Sequence, residues 1–335
     1  MIKSVLIAGP WIGEFGWELM AFQARIRALS RYFEKVIVIG SKEKEKLYED
    51  FALYYSVKLP DNIGFANGTF RYKLNNKQKR GLIKWCQDKI KEAIKYISER
   101  YIVKNLGIYI PFKYGELPWI PTYPPYQKFI RFGTSQTNSE TPLVLFVRRN
   151  RSFMKEINLP EEWWHNLKYK LDKYGIKCSF FKNNLDEGLK QLSSSDLAIG
   201  ASTGGLHLAS LCGCPHYVWG PGSEKIMAGG PWPIPTEVRY NATWNPLGTP
   251  VFYRSLGWQP SVEVVIQDVL HTLEKFGRRT GSAKEKTKWL NSVWRPLRMR
   301  MKIADCFNSF AANHNRYLGE FLKNLVRPRS GIKYI

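Results

Sequence analysis

The segment from Gly200 to Ser210, GASTGGLHLAS, lies where a short apolar run gives way to a helical pattern. The first backbone N–H groups of a helix have no partner within it, and they coincide with the positive end of the helix dipole. Glycines let an anion approach the backbone, while hydroxyls and a histidine add hydrogen bonds. The segment therefore predicts a phosphate site made by Ser202, Thr203, Gly204, Gly205 and His207. The alternative is a capped helix whose glycines only allow close packing.

Three arginines follow the apolar run Leu143–Val147 within four positions, at Arg148, Arg149 and Arg151. A guanidinium grips phosphate or carboxylate oxygens with two parallel hydrogen bonds, which lysine does not do. We expect these arginines to hold the same anion as the glycine-rich segment. The alternative is a solvated turn, or salt bridges to the helix predicted at 160–174.

The loop GPWIGEFGWE, residues 9–18, places Glu14 and Glu18 among tryptophan and phenylalanine side chains. It matches neither the dinucleotide pattern GxGxxG nor a P-loop. A carboxylate that aromatic neighbours remove from water is suited to act as a general base. Glu14 is the first candidate, because Glu18 is expected to begin the following helix and stabilise its dipole. A surface or capping role is the alternative for Glu14.

Two series of alternating strands and helices position these segments. The first runs from Ser4–Ala8 through a helix at 18–32 to the strand Lys35–Gly40, and a long amphipathic helix is predicted at 76–104. The second series comprises 142–147, 160–174, 176–181, 185–194, 197–200, 204–212, 216–219 and a helix at 261–276. Such alternation is typical of parallel α/β sheets, whose ligands bind at the carboxyl ends of strands.

The 335 residues are enough for two domains joined at the Pro-rich, Ser-rich and Thr-rich stretch 112–142. We predict an acceptor-side Rossmann-like domain at 1–138, a donor-nucleotide domain at 139–277, and a basic helical extension at 278–335. The extension holds 14 Lys or Arg residues and 3 Asp or Glu residues. Its aromatic and apolar residues alternate with these cations, which is typical of an amphipathic basic surface.

Composition narrows the class of protein. Hydrophobic residues make up 44% and aromatic residues 14%, which excludes a disordered chain. The net charge of +23 favours contact with polyanions, nucleotides or anionic lipid. Five cysteines without CxxC spacing favour a reducing cytoplasm, and Cys212 and Cys214 are expected to be core thiols. The first apolar run is too short for a signal segment, so any membrane contact is expected to be peripheral.

The run DLAIGASTGGLHLASLCGCPHYVWG resembles the donor domains of GT-B fold nucleotide-sugar glycosyltransferases, especially the heptosyltransferase-like group. Their Gly-x-x-(Ser/Thr)-Gly-x-x-His-(Leu)-Ala segment binds the donor diphosphate. The matching positions here are Gly200, Ser202, Thr203, Gly204, Gly205, His207 and Ala209. The resemblance covers about 142–276 and, more loosely, the first 40 residues. It implies two Rossmann-like domains facing across a cleft, and an inverting, metal-independent transfer from a nucleoside-diphosphate sugar.

Within that resemblance, the arginines and the amides of 203–205 neutralise the leaving diphosphate, and Glu14 takes the acceptor proton. Glu224 follows the last predicted strand and is a candidate for the nucleotide ribose, with a solvated loop carboxylate as the alternative. The chain differs from the group at Ala201, where an acidic residue is usual. The resemblance therefore does not identify the sugar that is transferred. It contains no Asp-x-Asp metal motif.

The acceptor is predicted from charge alone. Because the basic residues extend beyond the tail into the rest of the chain, a polyanion held between domains is favoured, namely a modified base in DNA as in viral DNA modification. The first alternative is a membrane-surface glycolipid or lipopolysaccharide, whose anionic headgroups attract the same cations. The second alternative is a non-enzymatic nucleic-acid-binding protein on a transferase-like scaffold.

Overall fold

The computed structural model describes residues 2–60, 75–110, 127–133, 141–151, 155–220, 240, 244–276 and 332–334. These residues form two compact units. Unit 1 comprises the described residues up to Lys128 together with the C-terminal strand, and unit 2 begins at Phe129. The division therefore precedes the boundary predicted at 138. Phe132 already belongs to unit 2, because its N–H bonds to the Leu211 carbonyl at 2.9 Å.

Ten strands make two sheets of five. They are β1 Ile2–Ala8, β2 Lys35–Gly40, β3 Leu53–Ser56, β4 Val103–Tyr109, β5 Leu143–Phe146, β6 Lys177–Phe180, β7 Leu197–Ala201, β8 His216–Trp219, β9 Val251–Arg254 and β10 Ile332–Tyr334. Unit 1 has the order β10-β4-β1-β2-β3 and unit 2 the order β6-β5-β7-β8-β9. All pairings are parallel except that of β10 with β4.

Six helices accompany these strands in the described residues. Helix α1 is continuous through Phe15–Trp17, a π-helical segment Glu18–Gln23, and Ala24–Leu29. The others are α2 Asn76–Ser98, α3 Glu161–Asp172, α4 Leu185–Ser194, α5 Gly204–Cys212 and α6 Val262–Phe276. Strands that are covered by helices on both faces consist of continuous apolar residues. The sequence therefore predicts β1, β2, β5 and β7.

In unit 1 the core lies between the sheet and α2. Ile90, Ala93 and Ile97 of α2 pack against strand residues that include Ile7 and Ile37. Residues 127–128 fix helix α1: the Gln127 side chain donates to the Met20 carbonyl at 2.7 Å. The Lys128 N–H bonds to the Ala24 carbonyl at 2.9 Å. The Met20 carbonyl lies within the π-helical segment, and the Ala24 carbonyl directly follows it.

In unit 2 the larger core lies between the sheet and the helices α3 and α6. Trp164 and Leu167 of α3, with Val265 and Val269 of α6, pack on a cluster that includes Trp219. Trp163 extends the aromatic cluster and donates its indole N–H to the Pro260 carbonyl at 2.9 Å. Helices α4 and α5 contact β5, β7 and β8 from the other side, because successive strand residues point to opposite faces.

Several sequence predictions differ from the structure. Helix α2 ends at Ser98 rather than near 104, where the Tyr101 N–H bonds back to the Ile97 carbonyl, and β4 begins at Val103. Strands β3, β4 and β9 were not predicted from the sequence, and in β4 the residues Lys104 and Asn105 interrupt the apolar pattern. Within the predicted helical extension, 332–334 form a strand; the remainder lies outside the described residues.

No helix among the described residues is long and apolar enough to cross a membrane. No group of three or more His, Cys, Asp or Glu side chains in the same residues is arranged to hold a metal ion. Metal independence stays a prediction of the resemblance.

Candidate functional site

The carboxyl edge of the unit 2 sheet brings together two segments that are some 50 residues apart in sequence. Strands β5 and β7 are neighbours, with Phe146 beside Ile199, and the Val147 N–H bonds to the Ile199 carbonyl at 2.8 Å. A Cβ on Gly200 would lie 2.4 Å from the Val147 carbonyl oxygen. The arginine segment and the start of α5 therefore leave the sheet side by side, as the shared-anion hypothesis requires.

The start of α5 packs tightly on the end of β5. A Cβ on Gly205 would lie 2.5 Å from the Val147 Cγ1 atom, so this glycine permits the close approach of helix and strand. The Ser202 N–H is already bonded to the Trp219 carbonyl at 3.1 Å. The glycines therefore permit close packing, as the alternative from the sequence expected, and the phosphate site at the first turn of the helix stays a prediction.

Thr203 immediately precedes the first residue of α5 and has extended backbone geometry. Its side chain does not cap the helix, and its hydroxyl is buried without a hydrogen-bond partner among the described residues. The residue is only 7% exposed. A buried hydroxyl without a partner costs free energy, so an anion bound at the helix N-terminus would supply the acceptor that the hydroxyl lacks.

His207 lies one turn into α5 and stacks on Trp244, with ring centroids 4.4 Å apart and planes at 6°. Tyr240 packs against the same imidazole at 5.9 Å. Trp244 is held to the helix, because the Ser210 hydroxyl donates to the Trp244 carbonyl at 2.8 Å. Sequence reasoning missed both aromatic residues, because no local pattern links them to α5.

The three arginines have different environments. Arg148 donates to both carboxylate oxygens of Glu161 on α3, at 2.5 and 2.6 Å, and its guanidinium lies 4.3 Å from the Phe180 ring centre. This is the salt bridge that the sequence left open as an alternative. Arg149 is buried and donates to the Asn158 side chain. The Asn158 amide also donates to the Arg151 carbonyl at 2.8 Å, so Asn158 organises the segment.

The predicted site residues Glu14 and Glu224 are not among the described residues at the carboxyl edge of the unit 2 sheet. Glu224 lies outside the described residues. Glu14 is half-buried in unit 1 and immediately precedes α1, where its carbonyl accepts bonds from the N–H groups of Trp17 and Glu18, both at 3.1 Å. The Glu14 carbonyl therefore accepts the first hydrogen bonds of the helix.

Glu18 does not begin the helix, contrary to the expectation from sequence. It lies one turn inside α1, only 5% exposed, because the helix already begins at Phe15. Tyr48 donates its hydroxyl to the Glu18 carboxylate at 2.9 Å. Burial raises the pKa of Glu18, and the charge of Lys44 and the Tyr48 bond offset only part of this rise. The sequence predicted a carboxylate removed from water, with Glu14 as the first candidate, and in the structure the buried carboxylate is that of Glu18.

The burial of Glu18 predicts a pH dependence of stability. Because its pKa is raised in the folded protein, the folded state binds a proton more tightly than the unfolded chain does. Its contribution to stability is therefore lost as pH rises from the ordinary glutamate range through the folded pKa. We expect Glu18→Gln to gain stability relative to the wild type as pH rises, measured as the difference in urea unfolding free energy from pH 4.5 to 8.

Glu43 supplies a control of opposite sign. A hydrogen bond from Ser41 lowers the pKa of Glu43, so its carboxylate stabilises the folded state above the ordinary glutamate range. Glu43→Gln should lose stability relative to the wild type as pH rises through the acidic range to about 4.5, and the difference should stay nearly level from pH 4.5 to 8. If the difference in unfolding free energy from the wild type changed equally with pH in the two variants, the explanation given for Glu18 would be wrong.

Comparisons with known proteins rest on structure. No family model matches the chain, and no curated protein matches its sequence. A glycosyl transferase of family 9 from Veillonella parvula has a similar structure, with a TM-score of 0.51, 9% identity, and coverage of 81% of this chain and 97% of that one. E. coli ADP-heptose LPS heptosyltransferase II is similar with a TM-score of 0.46, 12% identity, and coverage of 81% and 99%.

The likeness to the Veillonella protein spans both units of this chain. At 9% identity it concerns the fold, and it agrees with the two parallel α/β sheets described above. Of the fold expected from the sequence, the two parallel α/β domains are confirmed, and the cleft between them stays a prediction. The chain shares its two-domain α/β fold with a glycosyl transferase of family 9.

Proposed function

We propose that this protein is a glycosyltransferase that moves a sugar from a nucleoside-diphosphate sugar to a hydroxyl of an anionic acceptor. The observation that carries the proposal is the buried Thr203 hydroxyl, which has no hydrogen-bond partner among the described residues and lies at the N-terminus of α5 beside the arginine segment. The fold shared with a family 9 glycosyl transferase supports the same function.

The donor diphosphate would be held by several kinds of group. The first amides of α5 and the Thr203 hydroxyl donate hydrogen bonds, and Arg149 and Arg151 supply positive charge. Such groups act on the charge that develops on the leaving diphosphate, and each contributes about 2.7 to 4 kcal/mol of barrier lowering when preorganised. Arg148 contributes less directly, because Glu161 already accepts its hydrogen bonds. Glu224 remains the predicted ribose ligand.

His207 would add a hydrogen bond or a proton at the same end of α5. Its ring is 7% exposed and lies flat against the Trp244 indole, so the plane of the imidazole is fixed before the donor binds. Preorganised donors avoid the cost of ordering a side chain during binding. The stack is therefore part of the proposed donor site.

The acceptor hydroxyl requires a base, and Glu14 is proposed for this role with Glu18 second. Glu14 is half-buried and so accessible to a substrate, whereas Glu18 is almost fully buried and bonded to Tyr48. Deprotonation by a carboxylate on the side opposite the leaving group is the chemistry of an inverting transfer. Inversion and independence from metal are proposed on the resemblance alone.

The identity of the acceptor stays a prediction. A modified base in DNA follows from the charge of the whole chain, +23, and a membrane-surface glycolipid follows from the basic aromatic tail. The comparisons give no support to DNA. Both acceptors are anionic, and the proposal for the donor site does not depend on the choice.

Thr203→Val tests the donor site. Valine keeps the shape of threonine and removes the hydroxyl, so we expect a loss of about 10- to 150-fold in affinity for nucleoside diphosphates, from about 1.5 to 3 kcal/mol per hydrogen bond to a charged group. Without ligand the variant should be at least as stable as the wild type, because the lost hydroxyl has no described partner. Thermal melting with uridine, guanosine, cytidine and adenosine diphosphates measures both effects.

Thr272→Val is the matched control. Thr272 is also buried in unit 2, but its hydroxyl donates to the Asp268 carbonyl within α6. This variant should lose stability and keep wild-type affinity for the diphosphate. If none of the four diphosphates stabilises the wild type while it binds DNA in a salt-dependent way, the protein is a nucleic-acid binder and the enzyme proposal is wrong.

A further inference from the structure

Helix α2 presents a fixed outer face to solvent. Its inner face is packed into the core of unit 1 through Leu82, Ile90, Ala93 and Ile97, which are all at most 5% exposed. Its first turn is closed by reciprocal bonds between Asn75 and Gln78, both 2.9 Å long. The helix therefore cannot rotate its outer face inwards without losing the core contacts.

The outer face carries a row of cations. Lys77, Arg80, Lys84, Lys91 and Lys95 follow each other at spacings of three, four, seven and four residues, and all five are exposed. These spacings keep them within one side of an α-helix, in a line about 27 Å long at 1.5 Å per residue. We call these five residues the basic stripe. The whole helix holds seven basic and two acidic residues.

Few acidic side chains of the described residues lie close to the cations of the basic stripe. Among the described residues, Lys77, Arg80 and Lys84 take part in no ion pair. Lys91 lies 3.8 Å from Asp88, and Lys95 lies 3.9 Å from Glu99, so both are loose surface contacts that contribute little. By contrast Lys89, outside the stripe, contacts Glu92 at 2.7 Å. Like charges three and four residues apart destabilise a helix, and an anionic partner would remove that cost.

The geometry favours a flat partner. The stripe is straight and rigid, so an extended anionic surface can contact all five cations together. Single-stranded nucleic acid is held by stacking bases on exposed aromatic side chains. The two aromatic residues of α2 do not offer this, because Trp85 packs on the core and Tyr96 packs on Tyr55 at 5.4 Å.

An exposed apolar side chain lies beside the stripe. Ile83 is 37% exposed between Arg80 and Lys84, at the part of the helix where acidic residues are absent. An apolar side chain next to cations suits the headgroup region of a lipid bilayer, where the apolar atoms leave water and the cations meet anionic headgroups. Phosphates of a nucleic-acid duplex offer no such environment.

We propose that the basic stripe of α2 docks the protein on an anionic phospholipid surface. This inference concerns unit 1 and is independent of the sugar-transfer chemistry proposed above. Flotation with neutral phosphatidylcholine vesicles and with vesicles containing 30% phosphatidylglycerol tests it on the full chain. We expect binding to the anionic vesicles only, and release at high salt.

The decisive variant is the triple substitution Lys77→Gln, Arg80→Gln, Lys84→Gln. It should lower the partition coefficient onto anionic vesicles by about 100-fold, from about fivefold per cation. The control removes the same charge from exposed lysines of unit 2, with Lys173→Gln, Lys177→Gln and Lys190→Gln, and should change it much less. Unchanged melting temperatures and diphosphate binding in both variants show that fold and donor site are intact.

The same variants distinguish lipid from nucleic acid. Retention on single-stranded and duplex DNA is measured beside flotation. Equal vesicle binding by the two triple variants overturns the proposal, and so does a selective loss of DNA binding in the α2 variant with vesicle binding kept. A selective loss of vesicle binding supports it even if no sugar transfer is ever detected.

Discussion

Replacing Glu14 with glutamine is expected to lower the rate of sugar transfer by about 100- to 10,000-fold, the usual contribution of a general base. The substitution keeps the size and backbone geometry of the residue that immediately precedes α1, so the fold should be unaffected. Glu14 lies in unit 1, while the proposed diphosphate ligands lie in unit 2, so donor affinity should be unchanged. Single-turnover kinetics and diphosphate titration separate the two quantities.

Glu18→Gln is the comparison within the same helix. Its carboxylate is buried and bonded to Tyr48, and a glutamine oxygen can accept the same hydrogen bond. We expect this variant to retain most of the transfer activity. An active Glu14→Gln enzyme together with an inactive, folded Glu18→Gln enzyme would transfer the role of base to the buried carboxylate, which its raised pKa makes chemically competent.

Replacing Gly200 with alanine is expected to cost at least about 1 to 3 kcal/mol of unfolding free energy, the usual range for overpacking a core. The new Cβ would lie 2.4 Å from the Val147 carbonyl oxygen. That carbonyl cannot easily move, because the Val147 N–H is bonded to Ile199 in the neighbouring strand. Any relief would separate β5 from β7 and displace the arginine segment from α5, so diphosphate affinity should fall as well. Urea denaturation and melting with diphosphate measure the two losses.

Gly81→Ala is the matched control for the glycine substitution. Gly81 lies within α2, and a Cβ there would meet nothing within 4 Å. Alanine should stabilise the protein by about 0.5 to 1 kcal/mol, because glycine is costly inside a helix. If Gly200→Ala were as harmless as Gly81→Ala, the close contact between β5 and β7 would not be what joins the two halves of the site.

The local pattern of the sequence determined most of the elements. Continuous apolar runs predict β1, β2, β5 and β7, and a 3.6-residue periodicity predicts α2, α3 and α6, because burial requires those patterns. The glycine-rich start of α5 and the arginines after β5 were visible for the same reason: strand ends are marked by a change from apolar to polar residues. The edge strands β3 and β9 were not predicted, although they are as long as β5.

Tertiary structure decided how these segments meet. The order β6-β5-β7-β8 places β5 beside β7 although β6 lies between them in sequence, and only this order joins the arginines to α5. The tertiary structure also determines that Arg148 is paired with Glu161 and that Trp244 stacks on His207. Glu18 rather than Glu14 is desolvated, because the helix begins one turn earlier than the sequence indicated. These outcomes depend on contacts between distant residues, which a local pattern does not encode.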